Sequence, residues 1–230
     1  MLLRNSTWLA SGIFLLTFAT VGGISESQTT IKNKKDPKKE WAVIKGFRSA
    51  LFGMDEKQVL GAVAKDFKIS KLTIEKKIKR SVHPLQKTKI LSFIIPKLLS
   101  LGGDAEVAYI MGHKSKSLIQ VNVRWGSGVK VQRSVPKVPA KDIIATANLL
   151  RDYFMKKKYK KNQYTVNGKV NDKVLIVFRG RDEKNRMVVL VLTNTKNKKN
   201  QPEANLTSLD LSYIQNPEKL DVFDITKGKF

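Results

Sequence analysis

The 230-residue sequence contains no cysteine. This absence excludes disulfide bonds, thiol catalysis, and metal or iron–sulfur sites built on cysteine. It also excludes lipid anchoring of the lipoprotein type, which needs a cysteine just after the cleaved leader. Stability must therefore come from a hydrophobic core, for which about 200 residues are ample, as one larger domain or two small ones.

Residues that carry out catalysis are also scarce. The two histidines, His83 and His113, have no second histidine or carboxylate three or four residues later, so we expect no metal site and no cofactor. Gly-x-Ser-x-Gly, P-loop and dinucleotide-binding motifs are absent. The few acidic residues are mostly interleaved with lysine, and a neighbouring cation lowers a carboxyl pKa, the wrong direction for a general acid. We therefore predict a protein that is not an enzyme.

The amino terminus has the order of a secretory signal. Met1 to Arg4 is short and basic, residues 8–24 (WLASGIFLLTFATVGGI) are apolar, and small residues up to Ser25 precede polar chain. We predict a signal peptide over residues 1–25 and a periplasmic or secreted protein. An uncleaved anchor is the alternative, although the run is short of about 20 apolar residues. No later segment approaches that length, so we expect no integral membrane span after cleavage.

The sequence has few acidic residues for its basic ones. It has 44 Lys and Arg against 19 Asp and Glu, a formal net charge of +25. Such a charge attracts polyanions. The expected partner is an anionic lipid or lipopolysaccharide surface, or an acidic envelope or host protein, because an exported protein meets membrane surfaces more often than chromosomal DNA. Nucleic acid is the less favoured partner.

Three basic clusters supply the candidate anion-binding residues. The first lies on residues 26–40, a polar stretch without hydrophobic periodicity that is typical of a flexible tether. The second falls within residues 71–82, and the third closes a predicted second helix. The candidates are Lys34, Lys35, Lys38, Lys39, Lys76, Lys77, Lys79, Arg80, Lys156, Lys157, Lys158, Lys160 and Lys161. Solubility is the alternative explanation, and at a helix C-terminus cations also gain about 0.3–1 kcal/mol from the dipole.

Local patterns predict helices and strands in alternation. Asp55 and Gln58 form a capping box, and the apolar residues from Val59 to Phe67 repeat at helical spacing. A second helix is predicted from Ala140. Strands are predicted at residues 90–95, 106–111, 118–125, 174–178, 187–192 and 206–214. Residues 71–82 fit either a strand or a helix, and the following Pro84 and the β-branched residues favour a strand. Pro96 is expected to end the strand at 90–95.

The strand at 118–125 alternates clearly between apolar and polar residues. This pattern predicts an antiparallel sheet with one buried and one solvated face. The polar residues of the solvated face are candidate interface residues, suited to a secreted effector that binds a host protein. They are Gln120, Asn122 and Arg124.

The order of elements favours one plan used twice. A helix precedes a hairpin at 107–125, and another precedes a hairpin at 174–193. We therefore predict an α+β fold with a helix packed on an antiparallel β-meander, arranged as two similar tandem units over 41–135 and 136–230. Chance recurrence of a common helix–hairpin motif is the alternative, and the pattern leaves open whether the units share one sheet.

The segment FGMDEKQVLGAVAKDF, Phe52 to Phe67, resembles the Gly-Met-(Thr/Asp)-x-x-Gln-Val helix opening of SmpA/OmlA (BamE)-like envelope proteins. The element order is also similar to the tandem α–β-meander of β-lactamase-inhibitor protein and to uncharacterised bacterial exported proteins. The resemblance implies a helix packed on an antiparallel meander, and protein or lipid contact without catalysis. This chain has no lipobox cysteine, so the resemblance does not carry over membrane anchoring.

Together these features predict a non-enzymatic, exported, basic binding protein that contacts an anionic envelope surface or an envelope protein. A secreted effector that binds a host protein is one alternative. A sequence-tolerant nucleic-acid-binding protein is another, because Tyr153, Phe154, Tyr159 and Tyr164 flank the third lysine cluster. The sequence contains no helix-turn-helix or RNP pattern that would strengthen this last alternative.

Overall fold

The computed structural model describes residues 39–80, 87–129, 138–194 and 206–221. The predicted signal peptide and most of the predicted tether lie outside these ranges. The helices are α1 (Glu56–Phe67) and α2 (Ala140–Met155), with 3-10 turns at Lys71–Thr73 and Lys161–Gln163. The strands are β1 (Gly46–Phe47), β2 (Ala50–Leu51), β3 (Glu75–Arg80), β4 (Lys87–Leu99), β5 (Gly103–Met111), β6 (Leu118–Gly126), β7 (Thr165–Lys169), β8 (Val174–Arg181), β9 (Met187–Thr193) and β10 (Ser208–Ile214).

Eight of the described strands form one antiparallel sheet, in the order β3-β4-β5-β6-β10-β9-β8-β7. Strands β3–β6 follow α1, strands β7–β10 follow α2, and the two sets join where β6 pairs with β10. The predicted α+β class is confirmed in this coarse sense, with the sheet as the dominant element. Both predicted units contribute strands to one sheet, and their tandem relation stays a prediction.

Both helices pack on the same face of the sheet. The row of paired residues that starts at Phe93 and ends at Phe178 crosses six strands, and directly paired residues point to one side. Phe67 of α1 contacts Phe93, and Phe154 of α2 stacks on Phe178. The row between them is buried, so this face holds the main core. None of the described helices is both long and apolar enough to cross a membrane.

The start of α1 confirms the predicted capping box. The Asp55 side chain accepts a hydrogen bond from the Gln58 N–H at 2.8 Å, and the Gln58 side chain accepts one from the Asp55 N–H at 3.0 Å. Val59 and Val63 of the predicted stripe are buried. The helix therefore begins where the local sequence specifies, and its apolar stripe is held against the sheet.

Pro96 does not end its strand, as the sequence predicts, because β4 continues to Leu99. The pairing with β5 passes from Ile95–Ala105 to Leu99–Gly103, a register shift at the proline. The extra residue of a bulge does not pair with the neighbouring strand, so it needs no N–H to donate. A bulge therefore accommodates proline within a strand. The predicted end of the strand is therefore wrong, and its predicted start is three residues late.

The third lysine cluster does not close α2. The helix ends at Met155, and the N–H groups of Lys156 and Lys157 donate to Tyr153 and Phe154 in a tight turn. Beyond that turn the buried Tyr159 packs edge-on against Phe178, with ring centroids 5.1 Å apart. Burial of this aromatic ring draws the chain away from the helix axis, so the cluster lies on a turn, a short extended segment and the start of the next 3-10 turn.

A candidate anion-binding edge

The predicted basic clusters occupy different parts of the fold. Lys34, Lys35 and Lys38 lie outside the described residues, and Lys39 is the first residue described. The second cluster lies on β3, which forms one edge of the sheet, and the third follows α2 near the opposite edge. The second and third clusters therefore lie near different edges of the sheet.

The third cluster runs beside residues 40–42. Trp41 forms a parallel bridge with Lys158. The Lys158 N–H donates to the Glu40 carbonyl at 2.8 Å, and the Ala42 N–H donates to the Lys158 carbonyl at 2.9 Å. These bonds bring the end of the tether to the third cluster, although more than a hundred residues separate them in sequence. We call the lysines assembled in this way the basic edge: Lys39, Lys156, Lys158, Lys160 and Lys161.

A buried carboxylate holds the basic edge to the sheet. Asp182 accepts hydrogen bonds from the N–H groups of Ile44, Lys184 and Arg186 and from the Arg186 guanidinium, at 2.9–3.0 Å. The Lys160 N–H donates to the Arg181 carbonyl at 3.0 Å. The first folded residues, the third cluster and the β8–β9 turn are thus fixed to one another.

Aromatic rings lie beneath and beside the lysines of the basic edge. The Lys158 ammonium lies 4.3 Å from the centroid of the Trp41 ring, a cation–π contact. Tyr159 stacks on Tyr164, and burial raises the pKa of both phenols, so both stay neutral. Tyr153 is 62% exposed at the same end of α2. Lysine and exposed aromatic rings therefore share this surface.

Most of the basic edge keeps its charge available. Glu40 pairs with Lys157 at 2.8 Å. The hydrogen bond from Lys157 and its charge lower the pKa of Glu40. The same hydrogen bond and the charge of Glu40 raise the pKa of Lys157. Lys157 is thereby neutralised by its neighbour. Within the described residues, the five lysines of the basic edge have no recorded ion pair with a carboxylate.

Lys76 and Lys77 of the β3 cluster are more nearly neutralised by carboxylates than the lysines of the basic edge. Glu56 at the start of α1 bridges Lys89 at 2.5 Å and Lys76 at 3.0 Å. The hydrogen bonds from Lys89 and then Lys76 outweigh burial and lower the pKa of Glu56. Lys77 pairs with Glu75 at 2.6 Å, and Lys79 and Arg80 end the strand. Lys76 and Lys77 therefore offer less free positive charge than the sequence suggests.

The expected solvated face of β6 is wrong for Gln120, which is 1% exposed. Its side chain donates to Asn122 at 2.8 Å, and Arg124 forms an ion pair with Asp210 of β10 at 2.6 Å. Burial raises the pKa of Asp210 despite the charge of Arg124. These residues lie on the face opposite the helices and bond to one another, and their role as an interface stays a prediction.

The loops at one end of the sheet are joined through Asp221. Its carboxylate accepts hydrogen bonds from the N–H groups of Lys114 and Ser115 at 2.9 and 2.8 Å, and its carbonyl accepts one from the His113 N–H at 2.6 Å. Burial disfavours the charged carboxylate, but the two backbone donors and Ser115 outweigh it and lower the pKa of Asp221. The ionised carboxylate therefore stabilises the β5–β6 turn.

This carboxylate gives a prediction about acid stability. Because the pKa of Asp221 is lower in the folded state, its contribution is present above the ordinary carboxyl pKa and is lost as the pH falls through the folded value. At neutral pH, Asp221→Asn is expected to lower the free energy of unfolding by about 1 kcal/mol. Urea unfolding at pH 7 and pH 2.5 should show this difference shrinking in acid. An equal difference at both pH values would contradict the assignment.

The described residues contain no group of three or more His, Asp or Glu placed to hold a metal ion. His113 lies in the β5–β6 turn, and His83 falls outside the described residues. The expected absence of a metal and a cofactor stays a prediction.

Sequence reasoning missed several residues that lie beside the basic edge. Trp41, Asp182 and Lys184 carry no local motif, and only pairing between distant segments brings them together. The pair of acidic residues between basic ones in RGRDEKNR is the one signal in the sequence that points to this region.

Comparison with known proteins provides no family for the chain. No protein-family model matches it, and no curated protein or solved structure matches it either. The resemblance to BamE-like proteins therefore stays a prediction, and the function has to be argued from the residues themselves.

Proposed function

We propose that the chain is a non-enzymatic, exported basic protein whose basic edge binds an anionic envelope surface, either anionic lipid or lipopolysaccharide. One observation carries the proposal. The end of the predicted tether and the third lysine cluster lie side by side through the Trp41–Lys158 bridge, so Lys39, the one described lysine of the first cluster, lies next to the third cluster.

Electrostatics supports a surface rather than a single small anion as the partner. Each basic residue close to an anionic membrane contributes up to about 1 kcal/mol, and the attraction decays within a Debye length. Five lysines without a carboxylate partner among the described residues can act together only if they face the same plane. Their connection through backbone hydrogen bonds keeps them together in the folded protein.

The aromatic residues favour a membrane surface among the polyanions. Tryptophan and tyrosine are enriched at membrane–water interfaces, where the ring lies at the level of the head groups. Trp41 lies under the Lys158 ammonium, and Tyr153 and Tyr164 are exposed near the same cluster. Stacking of nucleic-acid bases uses similar rings, so nucleic acid is the natural competitor in a binding assay.

Several carboxylates of the chain support a binding role over acid–base catalysis. The pKa values of Glu40 and Glu56 are lowered by lysine partners, and that of Asp221 by backbone donors. A general acid needs a raised pKa instead. Asp210 has one, but it is paired with Arg124.

The proposal predicts a position-dependent loss of vesicle binding. Replacement of Lys39, Lys156, Lys158 and Lys161 by glutamine should lower the partition coefficient on vesicles with anionic lipid at least about tenfold, since each lysine contributes up to about 1 kcal/mol. Co-sedimentation of the full chain measures this directly. Binding to zwitterionic vesicles should be weak for every variant.

A second quadruple variant serves as the matched control. Lys57, Lys65, Lys71 and Lys141 are also exposed lysines and lie on α1, the following turn and the start of α2. Their replacement by glutamine changes the net charge equally. Equal losses of vesicle binding in the two variants would show that only total charge matters and would refute a specific basic edge. Stronger binding to single-stranded nucleic acid than to vesicles would refute the membrane surface as the partner.

A further inference from the structure

A cavity of about 590 Å³ lies at the end of the sheet beside the basic edge. Three loops form it: the β5–β6 turn, the β8–β9 turn and the chain after β10. Its size is within the range of small-molecule sites, roughly 300–1,000 Å³. The residues that characterise it are Ser115, Ser117, Lys184, Asn216 and Lys219.

The loops around the cavity are fixed in position by their own hydrogen bonds. The Lys184 N–H donates to buried Asp182 at 2.9 Å, and the Ser115 N–H donates to Asp221 at 2.8 Å. The Lys219 N–H donates to the Asn216 side chain at 3.1 Å. A cavity held in this way loses little conformational entropy when a ligand binds.

The cavity wall carries three basic residues, Lys184, Arg186 and Lys219, and two acidic ones, Glu218 and Asp221. Glu218 pairs with Arg181 at 2.6 Å, and the Asp221 carboxylate accepts from the Lys114 and Ser115 N–H groups. Arg186 is held by Asp182. Lys184 and Lys219 are exposed and form no recorded ion pair within the described residues. The hydroxyls of Ser117 and Ser115 already bond within the β5–β6 turn. Two lysines with the side-chain amides of Asn185 and Asn216 beside them suit a compact anion with several acceptor oxygens.

We propose that this cavity binds the phosphate ester of a small polar head group, through Lys184 and Lys219 with the side-chain amides of Asn185 and Asn216 as hydrogen-bond donors. The inference deepens the proposed function and rests on it for the source of the ligand. The basic edge would attract the anionic surface, and the neighbouring cavity would hold one phosphate ester of it. A free phosphate ester offers the same chemistry as a lipid head group.

Soluble probes test the cavity separately from the basic edge. Glycerol 3-phosphate, inorganic phosphate and a short-chain phosphatidylglycerol below its micelle concentration would be titrated into the full chain by calorimetry. At least one phosphate ester should bind saturably with 1:1 stoichiometry. Tighter binding of the phosphatidylglycerol than of glycerol 3-phosphate would assign the site to a lipid head group, and equal affinity would assign it to a free phosphate ester.

Two double variants of equal charge locate the site. Lys184→Gln with Lys219→Gln should raise the Kd at least about tenfold, whereas Lys156→Gln with Lys161→Gln should leave it nearly unchanged. All four lysines are exposed, and unchanged circular dichroism and Tm would confirm folding. No saturable binding of any probe, or equal weakening by both variants, would overturn the cavity proposal. Those outcomes leave the vesicle result intact, so the two proposals fail separately.

Discussion

Replacement of Asp182 by alanine is expected to lower the free energy of unfolding by about 3 kcal/mol. The carboxylate is 1% exposed and accepts hydrogen bonds from three backbone N–H groups and the Arg186 guanidinium. Removing it leaves these donors without their acceptor and a cation without its partner. The Arg186 side chain is 17% exposed, so some hydration returns and the loss stays at the lower end of the range for broken buried pairs.

Urea unfolding followed by intrinsic fluorescence measures this loss. Glu183→Ala is the matched control, because Glu183 is the exposed neighbour of Asp182, and its effect should be close to zero. A double-mutant cycle with Arg186→Ala should give a coupling of about 1–3 kcal/mol. A loss below about 1 kcal/mol for Asp182→Ala would show that the carboxylate does not hold the β8–β9 turn and the chain at Ile44 together.

Replacement of Phe178 by alanine is expected to lower the free energy of unfolding by about 3–5 kcal/mol. The side chain is fully buried and contacts the rings of Phe154, Tyr159 and Tyr164, with centroids 5.1–5.4 Å away. Alanine removes these ring contacts and leaves a cavity between α2, the third lysine cluster and the sheet. No other described aromatic ring joins the basic edge to α2 in this way.

The matched control for this variant is Tyr153→Ala. Tyr153 also contacts Phe154, with centroids 5.4 Å apart, but its side chain is 62% exposed. Its replacement should cost less than about 1 kcal/mol. Similar losses for the two variants would contradict the placement of Phe178 at the centre of this aromatic cluster.

The sequence predicted those elements whose position depends on residues close together in the chain, such as the start of α1. The capping box at Asp55 and Gln58 sets the start of α1 within the chain segment itself. In the predicted strand at 206–214, a two-residue period places Leu209 and Leu211 on one side, and both are buried. A strand such as β7, with the sequence TVNGK, has too few apolar residues to produce that period, so sequence reasoning missed it.

The candidate site could be predicted only in parts. The lysines of the third cluster are visible as a charge run, but their position next to Trp41 depends on a bridge between segments 117 residues apart, which no local pattern encodes. For Gln120 of β6, the local pattern was visible but gave the wrong burial. Alternation placed Gln120 on a solvated face, but burial depends on what surrounds the whole sheet, and the residue is buried.

Lysine footprinting on vesicles tests the basic edge most directly, since it needs no substitution. The full chain would be labelled briefly with an amine-reactive ester, free and fully bound to anionic vesicles, and the labelled positions compared by mass spectrometry. The account predicts that Lys39, Lys156, Lys158 and Lys161 lose reactivity on binding, while Lys57, Lys65, Lys71 and Lys141 keep it. Uniform protection of both sets, or protection of the second set alone, would contradict it.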